Sequence, residues 1–135
     1  MDASKIKTAS SAPMHVKDAS GVPLYEGDKP VRIIFHGPGS RAYSTVQSRQ
    51  TARQLKRMND NDGKITAPSA EEGRLETAED LASVTIEFEE LTYGDKKGIE
   101  LFEAVFSDPD LSYIAKQATK FLADAGNFKT ASVES

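Results

Sequence analysis

Residues 41–58, "RAYSTVQSRQTARQLKRM", contain no glycine, no proline and no acidic residue. A stretch of that length without a breaker is a helix, with Ser40 in place as its N-cap. Helical spacing sets Arg49, Arg53, Lys56 and Arg57 on one side. The apolar stripe is poor, because Tyr43 and Val46 point elsewhere than Leu55 and Met58. Such a helix is either mostly solvated or partly covered by something else. Any fold built from this chain must accommodate it.

Charge supplies one answer. Residues 1–68 carry 11 Lys and Arg against 6 Asp and Glu, whereas residues 69–135 carry 6 against 15, and the net charge of −4 conceals this asymmetry. Oppositely charged halves attract each other or meet different partners. Mutual attraction is the simpler of the two. Those four cations, with Arg41 the five over 41–57, could instead neutralise phosphates. Against that, the chain is acidic overall and its helix has a single aromatic residue, so a stacking platform for bases is lacking. Nucleic acid is disfavoured as a partner.

The turn between the halves, "RMNDNDGKIT", resembles the middle of a calcium-binding EF-hand loop. With Gly63 at position 6, Asp60 and Asp62 fall at positions 3 and 5 and Ile65 at position 8. Position 1 is then Met58 and position 12 is Ser69, so two principal oxygen ligands are missing. A solvated turn is expected, since Asn, Asp and Gly tolerate turn geometry.

The N-terminal third reads as β structure. Met14 to Lys17 and Val22 to Tyr25 are short strands about the turn Ala19–Ser20–Gly21. "VRIIFH" is the clearest strand, with Val31, Ile33 and Phe35 on one face, opened by Pro30 and closed by Gly37–Pro38–Gly39. Beyond the central turn, Ser69 and Glu72 form a capping box. Leu75, Ala78, Leu81, Ala82, Val84, Phe88 and Leu91 recur at spacings of three and four, which predicts a helix to about residue 92. "VTIEFEE" also alternates at period two, as a strand would. No turn signal separates it from "EDLAS", so the helix is preferred. Residues 97–107 give a short amphipathic helix. A last helix follows with Asp108 as N-cap, Pro109 at its first position and Gly126 as its stop. Asn127–Phe128 folds back.

The expected architecture is α+β and mainly α, a small N-terminal antiparallel β element followed by about four helices. It divides into a flexible arm at 1–13, a single domain at 14–128 and a flexible tail at 129–135. The 135 residues include no cysteine, which excludes disulfides and thiol chemistry. No apolar run is long enough to span a membrane.

No catalytic constellation is visible. His15 and His36 lie 21 residues apart with no acid at ligand spacing, so no metal site is expected. "HGPGS" precedes a helix but lacks the lysine and glycine spacing of a phosphate-binding loop. The carboxylates are spread over helix surfaces. The chain is read as a non-enzyme that needs no cofactor.

Taken in order, "GVPLY", "PVRIIFHGPGSRAY", a long polar helix and "LFEAVFSDPDLSYIAKQATKFLADAGNF" resemble the tail assembly chaperones of long-tailed, non-contractile bacteriophages. The resemblance covers about residues 14–128. It rests on Pro38, Gly39 and Ser40 with Tyr43, on Ser107, Asp108 and Pro109 with Ile114, and on Gly126, Asn127 and Phe128. Where many relatives place a Trp near the end of the second helix, "IEFEEL" supplies Phe88. The resemblance implies a non-enzymatic protein of the host cell cytoplasm. It would hold the tape-measure protein soluble while tail-tube subunits polymerise, and then leave. Implied partners are the tape-measure protein, tail-tube subunits and a frameshifted longer form of the chain, with self-association left open. The alternative is a minor structural component of the tail or virion. The expected client surface is an apolar helix face of Leu81, Val84, Phe88 and Leu91, bordered by Ile99 and Phe102, with Glu87, Glu89 and Glu90 selecting a basic client.

Overall fold

A computed structural model of the chain describes residues 1–64 and 66–130. Ile65 of the central turn and most of the expected C-terminal tail lie outside the described residues.

The fold is α+β and mainly helical, as its sequence indicates. The chain begins with a 3-10 turn at Ala3–Ile6 and enters strand β1, Ser11–His15. A small hairpin of β2, Tyr25–Glu26, and β3, Lys29–Pro30, leads into β4, Arg32–His36. β1 and β4 pair antiparallel, with Ala12 opposite Phe35 and Met14 opposite Ile33. Ala12, Met14 and Val16 of one segment and Val31, Ile33 and Phe35 of the other form the buried face of the sheet. The expected alternation of "VRIIFH" is therefore present, whereas the first strand starts earlier than its hydropathy suggests.

Pro13 explains how a proline enters that strand. Val16 N–H bonds to Val31 O and Gly37 N–H to Ser10 O, so even-numbered residues of β1 carry the ladder. The N–H that Pro13 lacks would point to the free edge of the sheet, where no ladder bond is lost. Gly37 closes β4 where the chain passes close to Ala9. A Cβ there would collide with the Ala9 carbonyl oxygen, so only glycine fits.

Helix α1 spans Arg41–Asp60, with Ser40 Oγ accepting from Tyr43 N–H. The following turn has Asp62 at φ 52° and Gly63 at φ 81°. Helix α2, Ala70–Ser83, begins with the expected cap, where Ser69 Oγ accepts from Glu72 N–H at 3.1 Å.

The expectation of a helix running to residue 92 is wrong. The chain leaves α2 at Val84 and forms strand β5, Thr85–Glu89. The period-two pattern of "VTIEFEE" was the true signal, and tertiary pairing supplies the reason. β4 turns a second row of backbone donors away from β1, and β5 completes it: His36 N–H bonds to Val84 O at 2.8 Å, and Ile33 stands opposite Phe88. Thr85 eases the switch by donating its hydroxyl to Leu81 O at 2.7 Å, satisfying an end carbonyl of the helix. Glu90, at φ 59°, ends the strand. The sheet order is β1-β4-β5.

Helix α3 spans Gly98–Ser107. Asp108 then caps a 3-10 turn, Pro109–Leu111, rather than opening the last helix directly, and α4 is Ser112–Ala123. α4 stops at Asp124, before Gly126, which lies inside a further 3-10 turn, Ala125–Phe128. That turn folds back as expected. Asn127 Nδ2 donates to Phe121 O, Phe128 is fully buried, and its carbonyl accepts from Ala9 N–H at 2.6 Å. The segment expected as an arm at 1–13 is thus tied to the C-terminal end at Ala9 and to β4 at Ser10.

Helices cover one face of the sheet. Phe35 meets Phe121 of α4 at 5.9 Å between ring centroids, and Phe88 meets Phe102 and Phe106 of α3 at 4.7 and 5.8 Å. Aromatic pairs at such distances add about 0.5–1.5 kcal/mol each beyond their buried area.

Candidate functional site

Among the described residues, five of the eight ion pairs lie between α1 and α2. Arg49, Arg53 and Arg57 recur every fourth residue, one helical turn apart. They meet Glu76, Glu79 and Asp80 of α2. Asp80 is the hub: Arg49 Nη2 stands 3.1 Å from its Oδ1, Arg53 Nη1 2.9 Å from its Oδ2, and Gln50 Nε2 3.1 Å from the same oxygen. Arg57 pairs with Glu76, and Arg53 Nη2 lies 3.2 Å from Glu79 Oε1. The Arg53 and Asp80 side chains are only 17% and 13% exposed, so this pair is shielded from solvent far more than a surface bridge. Partial burial opposes the Arg53 charge, but Asp80, Glu79 and Glu76 outweigh it and hold the guanidinium above its ordinary value.

Hydrophobic packing contributes little to this contact. Val46 is the one buried residue among the twenty of α1, and Leu55 is exposed. Beside the N-terminal half of α1 lies a cleft of about 260 Å³ lined by Tyr43, Val46, Leu81, Val84 and Leu122, together with the polar Thr77 and Asp80. The Tyr43 hydroxyl is buried there without a hydrogen-bond partner. Burial alone pushes its pKa up to about 12.

The six residues expected to form one apolar helix face are divided among three elements and a loop. Leu81 lies on α2, Val84 at its end and Phe88 on β5, so no single helix face carries them. Leu81, Val84 and Phe102 are buried in the core, and Phe88 and Leu91 pack against it. Ile99 is exposed. Two of the six, Leu81 and Val84, line the cleft beside α1. Glu89 is engaged by Arg32, whose Nη2 stands 2.6 Å from Oε1 across the sheet, and Glu90 lies 3.9 Å from Lys29. Glu87 is exposed.

The residues of the resembled motifs occupy joints of the fold. Ser40 and Asp108 are caps, and Gly126 donates its N–H to Asp124 Oδ1. Tyr43 lines the cleft, and Ile114 is buried. Ser107 accepts from Arg74 Nε through its carbonyl, and Asp108 accepts from the Tyr93 hydroxyl at 2.7 Å. That bond holds the Asp108 carboxyl below its usual range.

His15 Nε2 lies 2.7 Å from Leu24 O, with its ring edge-on to Tyr25. His36 stands at the opposite end of the β1–β4 pair, across from Ser11. Among the described residues no group of three or more His, Asp or Glu side chains is gathered for a metal ion, and no helix is long and apolar enough to cross a membrane.

The pairing partners Glu76, Glu79 and Asp80 were not singled out from sequence. The signal was available as a second row at spacings of three and four, set against arginines every fourth residue. The hidden tyrosine hydroxyl had no such signal. Compared with known proteins, the chain matches no family model, no curated protein and no solved structure.

Proposed function

We propose that this protein is a non-enzymatic tail assembly chaperone of a long-tailed bacteriophage, acting in the host cytoplasm to hold the tape-measure protein while tail-tube subunits assemble around it. The observation that carries the reading is the ordered set of short motifs from Pro38 to Phe128. A compatible surface supports it: an apolar cleft lined by Leu81, Val84 and Leu122 with Asp80 among its walls, next to the acidic row of α2, suits an amphipathic helix with a basic flank. A tape-measure protein is long and helical, and aggregation-prone before the tube encloses it.

A chaperone leaves before the tail is complete. Mass spectrometry of purified virions is expected to find tube and tape-measure proteins and none of this chain. Finding it at a fixed copy number per particle would overturn the chaperone reading in favour of a minor tail component.

A further inference from the structure

We propose that α1 is a displaceable cover, and that a basic amphipathic helix of a partner takes its place over the α2–α4 cleft. The inference rests on the chaperone reading, because a helical client is the partner that would displace the cover.

Two observations converge. The first is how α1 is held. A twenty-residue helix that buries only Val46, with Ala42 and Tyr43 partly buried beside it, gains little from apolar contact for its length. Its attachment is the Arg49–Arg53–Arg57 row on Glu76, Glu79 and Asp80; the pairs on the half-exposed Glu79 are readily exchanged for water, and the shielded Arg53–Asp80 pair is one that a competing guanidinium can replace in kind. The second is how badly α1 fits. It leaves about 260 Å³ open against Leu81, Val84 and Leu122 and strands the Tyr43 hydroxyl without a partner. A helix that kept arginine at every fourth position and placed leucines on the adjoining stripe would match the acidic row equally well. It would also fill the cleft, gaining about 25 cal/mol for each Å² of apolar surface removed from water.

The chain therefore carries its own imperfect occupant. In that state Leu81 and Val84 are buried and Leu122 is partly buried, so the empty chaperone presents a cleft rather than the whole apolar groove to other copies. Client binding must displace α1, so its apparent affinity is reduced by the small fraction of molecules with the cover open. A weakened affinity suits a chaperone that has to release its client to the growing tube.

The test uses the full chain and a labelled synthetic peptide with arginine at every fourth position and leucine on the adjoining stripe. Hydrogen exchange is followed with and without saturating peptide. Bound peptide is expected to speed exchange in α1 by at least about tenfold while slowing it in α2 and α4. Arg49→Ala with Arg53→Ala is expected to bind the peptide about tenfold more tightly than the unaltered chain, since its cover opens more often. Peptide that binds while α1 stays protected, or that fails to bind even at about 1 mM, overturns the proposal, and the wild-type measurement decides this even if the double variant is unstable. Capture of the tape-measure protein without displacement of α1 keeps the chaperone reading and removes the cover. Displacement of α1 by the peptide without tape-measure capture keeps the cover and removes that client.

Discussion

Arg53 places one nitrogen, Nη1, between both carboxylate oxygens of Asp80, at 3.0 Å from Oδ1 and 2.9 Å from Oδ2, across the seam that joins the basic and acidic halves of the chain. This contact and its neighbours answer the question posed by a helix with no adequate apolar stripe. α1 is held mainly by charge.

Magnitudes separate the members of the row. Asp80 is shielded and serves Arg49, Arg53 and Gln50 together, so Asp80→Ala is expected to cost about 1–3 kcal/mol, because it leaves shielded cations without their partner. Glu79 is about half exposed, and Glu79→Ala is expected to cost less than about 0.5 kcal/mol. Urea unfolding of the two variants checks the order. Equal losses would mean that Asp80 is not the hub.

Phe88 and Ile99 were grouped as client-facing residues, yet they differ in packing. Phe88→Ala removes a ring packed against Phe102 and, edge to face, against Phe106, and is expected to lose about 3 kcal/mol of stability. Ile99→Ala, at an exposed position, should change stability by no more than about 0.5 kcal/mol. Thermal unfolding of both distinguishes a core role from a surface role.

Gly37 marks the closest approach between the N-terminal segment and the end of β4. Gly37→Ala is expected to separate Ala9 and Ser10 from β4 at a cost above about 2 kcal/mol. The same variant should expose the Ala9 and Gly37 amides to hydrogen exchange, because their bonds to Phe128 O and Ser10 O depend on that approach.

Tyr43 gives a pH signature. Its folded pKa of about 12 lies above the ordinary value of 10.0, so the unfolded chain releases the phenolic proton first as pH rises. The native state thereby loses stability between about pH 10 and pH 12, and below that window the tyrosine contributes no pH dependence. Tyr43→Phe is expected to flatten this loss, and to be neutral or stabilising near pH 7, since the hydroxyl it removes has no partner. Denaturant titrations at three or more pH values provide the check.

Local rules in the sequence indicated much of this fold. The caps at Ser40 and Ser69 and the alternation Val31–Ile33–Phe35 each follow from neighbouring residues, and each lies where the sequence puts it. Residues 84–89 were misread because the deciding interaction is remote. Apolar spacing from Leu81 to Leu91 satisfies a helix, but β4 offers an unpaired edge that only a strand can complete. The expected client face was lost with that helix. The ion row was half legible: mutual attraction between the halves was foreseen, whereas its register, Arg53 on Asp80, required the antiparallel placement of two helices joined by a turn. The cleft beside α1 depends on side chains from α1, α2 and α4 and has no local sequence signature.

The proposed role is to keep a tape-measure protein soluble. The direct measurement is co-expression of the two proteins from one phage, followed by a pull-down on a tag at this chain's C-terminus. Soluble tape-measure protein recovered with the tagged chain, and found in the pellet without it, is the predicted result. Tagged chain eluting alone, with its client still insoluble, would overturn the chaperone role.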